Sequence, residues 1–275
     1  MVIAKGARTE WRLIRLSHPS VFQNLALEEA LARSSASTPF VPVIRLWRNP
    51  PSVIVGRFQD VAAEVDVDYC ERSRIAIARR FTGGGAVFHD YGSLNITIVM
   101  PRSEPFSIKE LYERNAALII DVLAHRGVKG EFVPPNSIYV NAKKISGAAA
   151  AVSRSYVFWH ASLLVSTDTL KLKHALAPSS GFKRTNSIRS RWHPVTTLTQ
   201  TLGEPVDDDL EEELLKSCSM MFGSRMEQSE LLDHEIRQME QLYEEKYSLR
   251  DWNWNQHWSR GLGRKVERAH TTIAV

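Results

Sequence analysis

The stretch Arg79-Arg80-Phe81-Thr82-Gly83-Gly84-Gly85-Ala86-Val87-Phe88-His89-Asp90-Tyr91-Gly92-Ser93-Leu94-Asn95 sets the strongest limit on this chain, because two arginines, three successive glycines and a histidine fall within it. Three glycines in a row let the backbone take left-handed dihedrals and let a ligand reach the main chain without meeting a Cβ. Ile75-Ala76-Ile77-Ala78 before them and Ala86-Val87-Phe88 after them are short and apolar, which reads as strand, glycine loop, strand. The loop is not a P-loop, since no Gly-Lys-Ser/Thr follows and no helix opens there. Nor does it have the spacing of the dinucleotide fingerprint. A bare triple glycine is best read as the turn of a tight hairpin. With Arg79-Arg80 on one side and His89 on the other, it reads instead as a cradle for an anion.

The chain around this loop is patterned as alternating short strands and helices. Trp11 to Leu16 alternates as a first strand, and Ser20-Val21-Phe22-Gln23 is a capping box for a helix through about Ala32. Strands follow at Val43 to Trp47 and Ser52 to Gly56, separated by Asn49-Pro50-Pro51; Gly56-Arg57-Phe58-Gln59 then forms a loop with an exposed cation, and Asp66 to Ser73 a short helix. Beyond the glycines, Leu94, Ile96, Ile98 and Met100 alternate with Asn95, Thr97 and Val99, which puts Asn95 on the polar side of a half-buried strand. Ser107-Ile108-Lys109-Glu110 is a second capping box, opening a helix with Ile108, Leu111, Tyr112, Ile119 and Val122 on its apolar side and His125-Arg126-Gly127 at its end. Ser137 to Val140 and Lys144 to Ser146 read as a hairpin across Asn141-Ala142. Val157 to Val165 is a further strand, with His160 and Ser162 on one face and Trp159, Ala161 and Leu163 on the other.

Helices are expected at Thr167 to Ala177, Asp207 to Phe222 and Glu227 to Tyr247, so strands cluster before Val165 and helices after it. The polar segment Ser180 to Arg191 reads equally as a mobile cover over a site and as a solvated linker. Trp252, Trp254 and Trp258 read as packing on the domain they follow, with a docking surface as the alternative, ahead of the basic Arg260 to Arg268.

With 275 residues the chain has material for one large domain or one plus a small appendage. No apolar run approaches the roughly 20 residues of a membrane span, and Met1 to Arg8 lacks the apolar core of a secretory signal. A cytoplasmic protein is expected. Cys70 and Cys218 fall in separate helical contexts, with neither a disulfide framework nor a metal spacing. A net charge of +4 and a pI near 9.1 favour acidic partners. Nucleic acid has only that charge in its favour, because no helix-turn-helix, zinc spacing or RNP motif is present.

A second informative stretch is Lys143-Lys144-Ile145-Ser146-Gly147-Ala148-Ala149-Ala150, where small residues leave space beside a strand lysine. Either lysine alone would be solvated. Together with the glycine loop, Lys144 is a candidate to face a phosphate or carboxylate, and His160 is balanced between a structural and a site role.

These stretches, with His160-Ala161-Ser162-Leu163-Leu164, Ser187-Ile188-Arg189-Ser190-Arg191, Trp47-Arg48-Asn49 and Val55-Gly56-Arg57, resemble in order the motifs of the lipoate–protein ligase A family over about the first 200 residues. The resemblance implies an α/β protein of α+β type, its mixed, mostly antiparallel sheet flanked by helices, of the biotin and lipoate ligase superfamily. It also implies two steps in one pocket: lipoate and ATP give lipoyl-AMP, and a lysine of an acceptor lipoyl domain then takes the lipoyl group. Carried over by position, Arg80, Gly85, Ala86, Val87 and Phe88 contact the nucleotide, and Lys144 is the catalytic lysine at carboxyl and phosphate. Gly83, Gly84, His89, Asn136 and His160 line the lipoate pocket. Magnesium is expected with ATP, without assigned ligands.

Three departures stand out. Pro135-Asn136-Ser137-Ile138 replaces the family's Asn-Asp with Asn-Ser, and Gly92-Ser93 replaces Gly-Asn, with Asn95 two places on. Tyr247 to Trp254 resembles the family's junction to an accessory domain. The expectation is therefore a catalytic domain over residues 1–250, a Trp-rich basic tail over 251–275 and a separate accessory subunit, with an acidic lipoyl domain or glycine-cleavage-type carrier as acceptor. The alternatives are a lipoyl or octanoyl amidotransferase that uses no ATP, and a non-catalytic subunit binding lipoate or lipoyl domains. A covalent acyl-enzyme route needs a nucleophilic cysteine, and neither Cys70 nor Cys218 lies near the motifs.

Overall fold

A computed structural model describes residues 10–34, 41–178 and 189–255 of the chain. In order come β1 (Trp11–Ile14), α1 (Val21–Ser34), β2 (Val43–Trp47), β3 (Ser52–Val55), α2 (Val61–Glu64), α3 (Val67–Arg72), β4 (Ala76–Arg79), β5 (Val87–His89) and β6 (Ser93–Pro101). Then follow α4 (Ile108–His125), β7 (Glu131–Val133), β8 (Ser137–Val140), β9 (Lys143–Val152), β10 (Tyr156–Leu164), α5 (Thr169–Ala175), α6 (Leu198–Leu202) and α7 (Leu210–Phe222). The described chain ends with β11 (Met226–Gln228), α8 (Asp233–Leu242), a π-helical turn Tyr243–Tyr247 and α9 (Arg250–Trp254).

Period-two patterning builds a mixed sheet in the order β11-β1-β2-β6-β10-β9-β8-β7. Its pairs are antiparallel from β2 to β7 and parallel at β11·β1 and β1·β2. Leu94, Ile96 and Ile98 of β6, with Trp159, Ala161 and Leu163 of β10, form one core with α4 and α7. On the opposite face Val99 and Phe158 pack with α1, α8 and α9. Asn141 (φ 48°) and Ala142 (φ 59°) take the left-handed region at the β8–β9 turn, as a two-residue hairpin requires.

The glycine stretch is not a hairpin. A second sheet has the order β4-β3-β5, so the loop crosses over β3, to which β4 is parallel and β5 antiparallel. This small sheet lies over the polar side of the large one, and that arrangement corrects the reading of β6. The strand is buried on both faces, with Asn95 1% accessible and Thr97 fully enclosed.

Other expectations shift too. Ile108 opens α4 but is 48% exposed, and Asn115 takes a place on the buried side instead. The helix expected from Thr167 shortens to α5, capped by the Asp168 side chain, and that expected from Asp207 begins at Leu210. The single helix expected from Glu227 to Tyr247 is instead β11, α8 and the π turn. Met226, Glu227 and Gln228 pair with Trp11, Arg12 and Leu13, and this tertiary pairing overrides local helix preference.

Helix α9 is tied into the fold. Trp252 donates Nε1–H to the Arg79 carbonyl at 2.9 Å, and the Arg79 amide donates to Asn253 Oδ1 at 3.0 Å. Trp254 packs beside the β3–β5 core; Trp258 and Arg260 to Arg268 lie outside the described residues. Lys246, 4% accessible, reaches Glu29 of α1 at 2.6 Å, and Tyr247 donates to the same oxygen. A buried pair of this kind contributes little over an apolar pair but costs heavily when halved. Lys246→Met is expected to lower stability by about 3–5 kcal/mol, and Glu29→Met in the same chain to recover part of it, as urea titrations of the three proteins would show.

Candidate functional site

The loop between β4 and β5 owes its shape to Arg80. Its Nε donates to Thr82 Oγ1 at 3.0 Å, Nη1 to the Ile54 carbonyl at 3.1 Å, and Nη2 to the carbonyls of Gly83 and Gly85 at 2.6 and 2.8 Å. Turning those two carbonyls onto the guanidinium keeps their oxygens away from a ligand. Gly84 sits at φ +90°, and its carbonyl comes so close to Gly56 that a Cβ there would lie 2.1 Å from the oxygen. Arg79 points the other way and pins the next loop through the carbonyls of Gly56, Arg57 and Gln59.

Beneath the loop is a cavity of 490 Å³, lined among others by Arg80, Gly84, Gly85, Ala86, Val87, His89, Asn136, Lys144 and His160. Nine of the eleven residues proposed from sequence thus meet at one place. Gly83 turns its carbonyl to Arg80 and does not line the cavity; Phe88, 1% accessible, lies in the core of the small sheet and borders a smaller 210 Å³ pocket. That pocket shares Lys144, Gly147, Ser162 and Ser190 with the larger one, so Lys144 stands between the two spaces.

Lys144 is drawn in by its backbone, whose N–H donates to the Pro194 carbonyl at 2.8 Å and whose carbonyl accepts from Thr196 at 3.0 Å. Its ammonium lies over Gly147, where a Cβ would stand 2.8 Å from Cε and Nζ. Burial and the neighbouring Arg80 hold its pKa below the ordinary lysine value. Burial likewise brings Arg80 down to about 10. Neither cation has a carboxylate partner among the described residues, so the cavity carries an uncompensated positive field suited to an anion.

Both histidines are neutral parts of directed hydrogen-bond chains. Thr82 accepts from Arg80 and donates to His160 Nε2 at 2.9 Å, while His160 Nδ1 donates to Glu28 Oε2 at 3.1 Å. Burial lowers the His160 pKa despite Glu28. His89 accepts at Nδ1 from Asn49 at 3.1 Å and donates from Nε2 to Ser162 Oγ at 2.6 Å. Burial, then His160 and Arg80, push His89 down to about 3.

Sequence reasoning missed Glu28, which is 1% accessible, bonded to Arg45 at 3.2 Å and to Thr97 at 2.7 Å, and separated from His160 by 132 positions. The only local signal is the Glu28-Glu29 pair set between Leu25-Ala26-Leu27 and Ala30-Leu31-Ala32. It also missed the clasp at the cavity mouth, where buried Glu64 accepts from Arg189 Nε and Ser190 N, and Ser190 Oγ accepts from the Ala86 amide at 2.8 Å. Ser187, Ile188 and most of the segment Ser180 to Arg191 lie outside the described residues.

Cys70 and Cys218 are buried, and burial raises both thiols to about 12. Neither lines the cavity. Among the described residues no group of three His, Cys, Asp or Glu side chains is placed to hold a metal ion, and no helix is long and apolar enough to cross a membrane.

Residues 20–219 match the family described as lipoyl protein ligase A/B catalytic domain. A lipoate-protein ligase A of Aeropyrum pernix is 37% identical over 155 residues, which are 56% of this chain and 58% of that protein. Lipoate-protein ligase A subunit 1 of Thermoplasma acidophilum is 31% identical over 255 residues, covering 89% of this chain and 96% of its own. Among solved structures, a bipartite lipoate protein ligase studied with its E2 lipoyl domain, from the same organism, superposes with a TM-score of 0.81 at 30% identity, covering 92% of this chain and all of that one. A T. acidophilum protein with bound lipoic acid and a lipoate-protein ligase A bound with ATP each reach 0.78 at 30% identity; they cover 89% and 90% of this chain and 99% of their own.

Two outcomes are expected. Gly147→Ala displaces the Lys144 ammonium and removes anion binding while leaving the thermal midpoint within a few degrees of wild type, as calorimetry with pyrophosphate would record. The unfolded chain takes up a proton on His89 near pH 6.5 that the fold accepts only near 3, so stability falls with pH through that window. The loss is about 2 kcal/mol between pH 7 and 5, and urea titrations should show it reduced in His89→Gln.

Proposed function

The chain belongs to the lipoyl protein ligase A/B catalytic-domain family, and we propose on that premise that it activates lipoate with ATP and transfers the lipoyl group to a lysine of an acceptor lipoyl domain. The observation that carries this reading is the pair of cations without carboxylate partners, Arg80 and Lys144, in one cavity beneath the glycine loop. The T. acidophilum protein with bound lipoic acid, and the ligase bound with ATP, support lipoate and ATP as the two ligands.

In the first step a lipoate carboxylate oxygen attacks the α-phosphorus of ATP, forming the acyl–phosphate bond as pyrophosphate leaves. Negative charge gathers on the phosphate oxygens, and Lys144, standing between the two spaces of the site, meets that charge from a partly desolvated position where it acts most strongly. Arg80 keeps the loop open and adds to the same field. In the second step the neutral ε-amine of the acceptor lysine attacks the acyl carbon, AMP leaves, and the amine loses its proton. The covering glycine loop and the Glu64–Ser190 clasp exclude water from the mixed anhydride in between. Magnesium would travel with the phosphates and water, since the described residues offer it no cluster of ligands.

The buried thiols speak against an acyl-cysteine intermediate, and with it against that form of the amidotransferase alternative. Exposed Arg191 at the mouth suits an acidic acceptor domain, and the bipartite relative supports a separate accessory subunit working with this catalytic domain. A cytoplasmic setting accords with the unpaired cysteines.

Lipoate-dependent pyrophosphate release, assayed with and without candidate accessory proteins, tests the reading. Release is expected to fall by about a hundredfold or more in Lys144→Ala. Undiminished release in that variant overturns the role of Lys144, and transfer from synthetic lipoyl-AMP without any release under either condition favours a transferase.

A further inference from the structure

Asn95, 1% accessible, lines the cavity from β6, and its Nδ2 has no hydrogen-bond partner among the described residues. An amide N–H buried in this way costs about 1–3 kcal/mol unless something accepts from it. Its orientation is dictated by a chain of hydrogen bonds that begins at a group which can only donate. Arg45 Nη2 donates to Asn24 Oδ1 at 2.8 Å, leaving Asn24 Nδ2 to donate to Asn49 Oδ1 at 2.8 Å. The backbone of His18 fixes the same orientation of Asn24, with N–H to Oδ1 and carbonyl to Nδ2. Asn49 Nδ2 therefore faces His89 Nδ1, the His89 proton sits on Nε2 and points at Ser162 Oγ, and the Ser162 hydroxyl donates to Asn95 Oδ1 at 2.6 Å. Each link leaves the next with one choice. The last group in the chain, Asn95 Nδ2, is a donor with no acceptor among the described residues.

The register of the sheet says what stands beside it. Asn95 pairs across with Ser162, and Ser162 pairs on its other side with Gly147, over which the Lys144 ammonium lies. The amide and the cation thus flank the cavity floor along one row of residues, two strands apart, or about 10 Å between backbones. Both residues line the same cavity. A carboxylate has the two oxygens needed to accept from an amide on one side and an ammonium on the other.

Resting on the assignment of this site to a carboxylic acid, we propose that Asn95 is its acid-reading residue, donating from Nδ2 to the carboxyl oxygen turned away from Lys144. The Arg45–Asn24–Asn49–His89–Ser162 chain is the device that keeps the amide nitrogen outward. The bond also leaves the second carboxyl oxygen, the one near Lys144, as the nucleophile. Ser162→Ala lets the amide turn over and present Oδ1, which repels the acid.

Binding calorimetry on the full chain tests this with two probes, lipoate and its analogue with a methyl group in place of the carboxyl group. Asn95→Leu is expected to weaken lipoate about tenfold, the value of one hydrogen bond to a charged acceptor, and to leave the methyl analogue unchanged. Ser162→Ala weakens lipoate in the same selective way. Asn95→Asp weakens it at least as far as Asn95→Leu, because the new side chain accepts instead of donating and carries charge. Wild-type affinity for lipoate in Asn95→Leu, or equal loss of both probes, overturns the role of Asn95 and leaves the carboxylic-acid site standing. Absence of lipoate binding by the wild-type chain overturns the site assignment itself, and this proposal with it.

Discussion

The buried guanidinium of Arg80 is the interaction on which the site depends. It is 5% accessible, always charged, and among the described residues answered only by oxygens that carry no formal charge: the Thr82 hydroxyl and the carbonyls of Ile54, Gly83 and Gly85. That arrangement does two things at once. It spends the donors on the loop, fixing a glycine-rich segment that would otherwise sample many conformations, and it leaves the positive charge itself unneutralised. A carboxylate in place of those carbonyls would hold the loop as well but cancel the field.

The rest of the fold can be understood as protecting that field. Glu28 brings a full negative charge into the same region from α1, yet it is matched by Arg45 and tied to Thr97 and His160. Both histidines are kept neutral by burial, so neither adds charge that varies near neutral pH. What remains inside the cavity is Arg80 from the glycine loop and Lys144 from β9 of the large sheet, with Arg189 and Arg191 at its mouth. The small residues Gly147 and Ala149 matter for the same reason: side chains there would fill the space in which the ammonium and a ligand must meet.

Much of this site was legible from local pattern. Two-residue alternation placed His160 and Ser162 on the face away from Trp159, and small residues next to Lys144 marked open space; both signals act within a few positions. The mistaken readings have a common cause, which is that they depended on what covers an element. Asn95 looked half-buried because nothing local shows that α1 and a second sheet lie over the polar face of β6. Ile108 looked like core because periodicity cannot tell that α4 starts beyond the edge of what it packs on. Glu227 and Gln228 resembled a helix start until β1 offered a free edge.

Local pattern and the family resemblance were enough to propose one anion site for a glycine loop between two strands, an arginine pair and a strand lysine, because backbone freedom and side-chain charge are local properties; of that pair the fold brings Arg80, and not Arg79, to the cavity with Lys144. Only folding decided that the loop would cross β3 and close no hairpin, that Glu28 would reach His160 across 132 positions, and that Asn95 would end a hydrogen-bond chain started by Arg45. Hydrogen-bond direction passes from group to group through contacts, and contacts between distant positions exist only once the sheet, its covering helix and the glycine loop have closed around the same cavity.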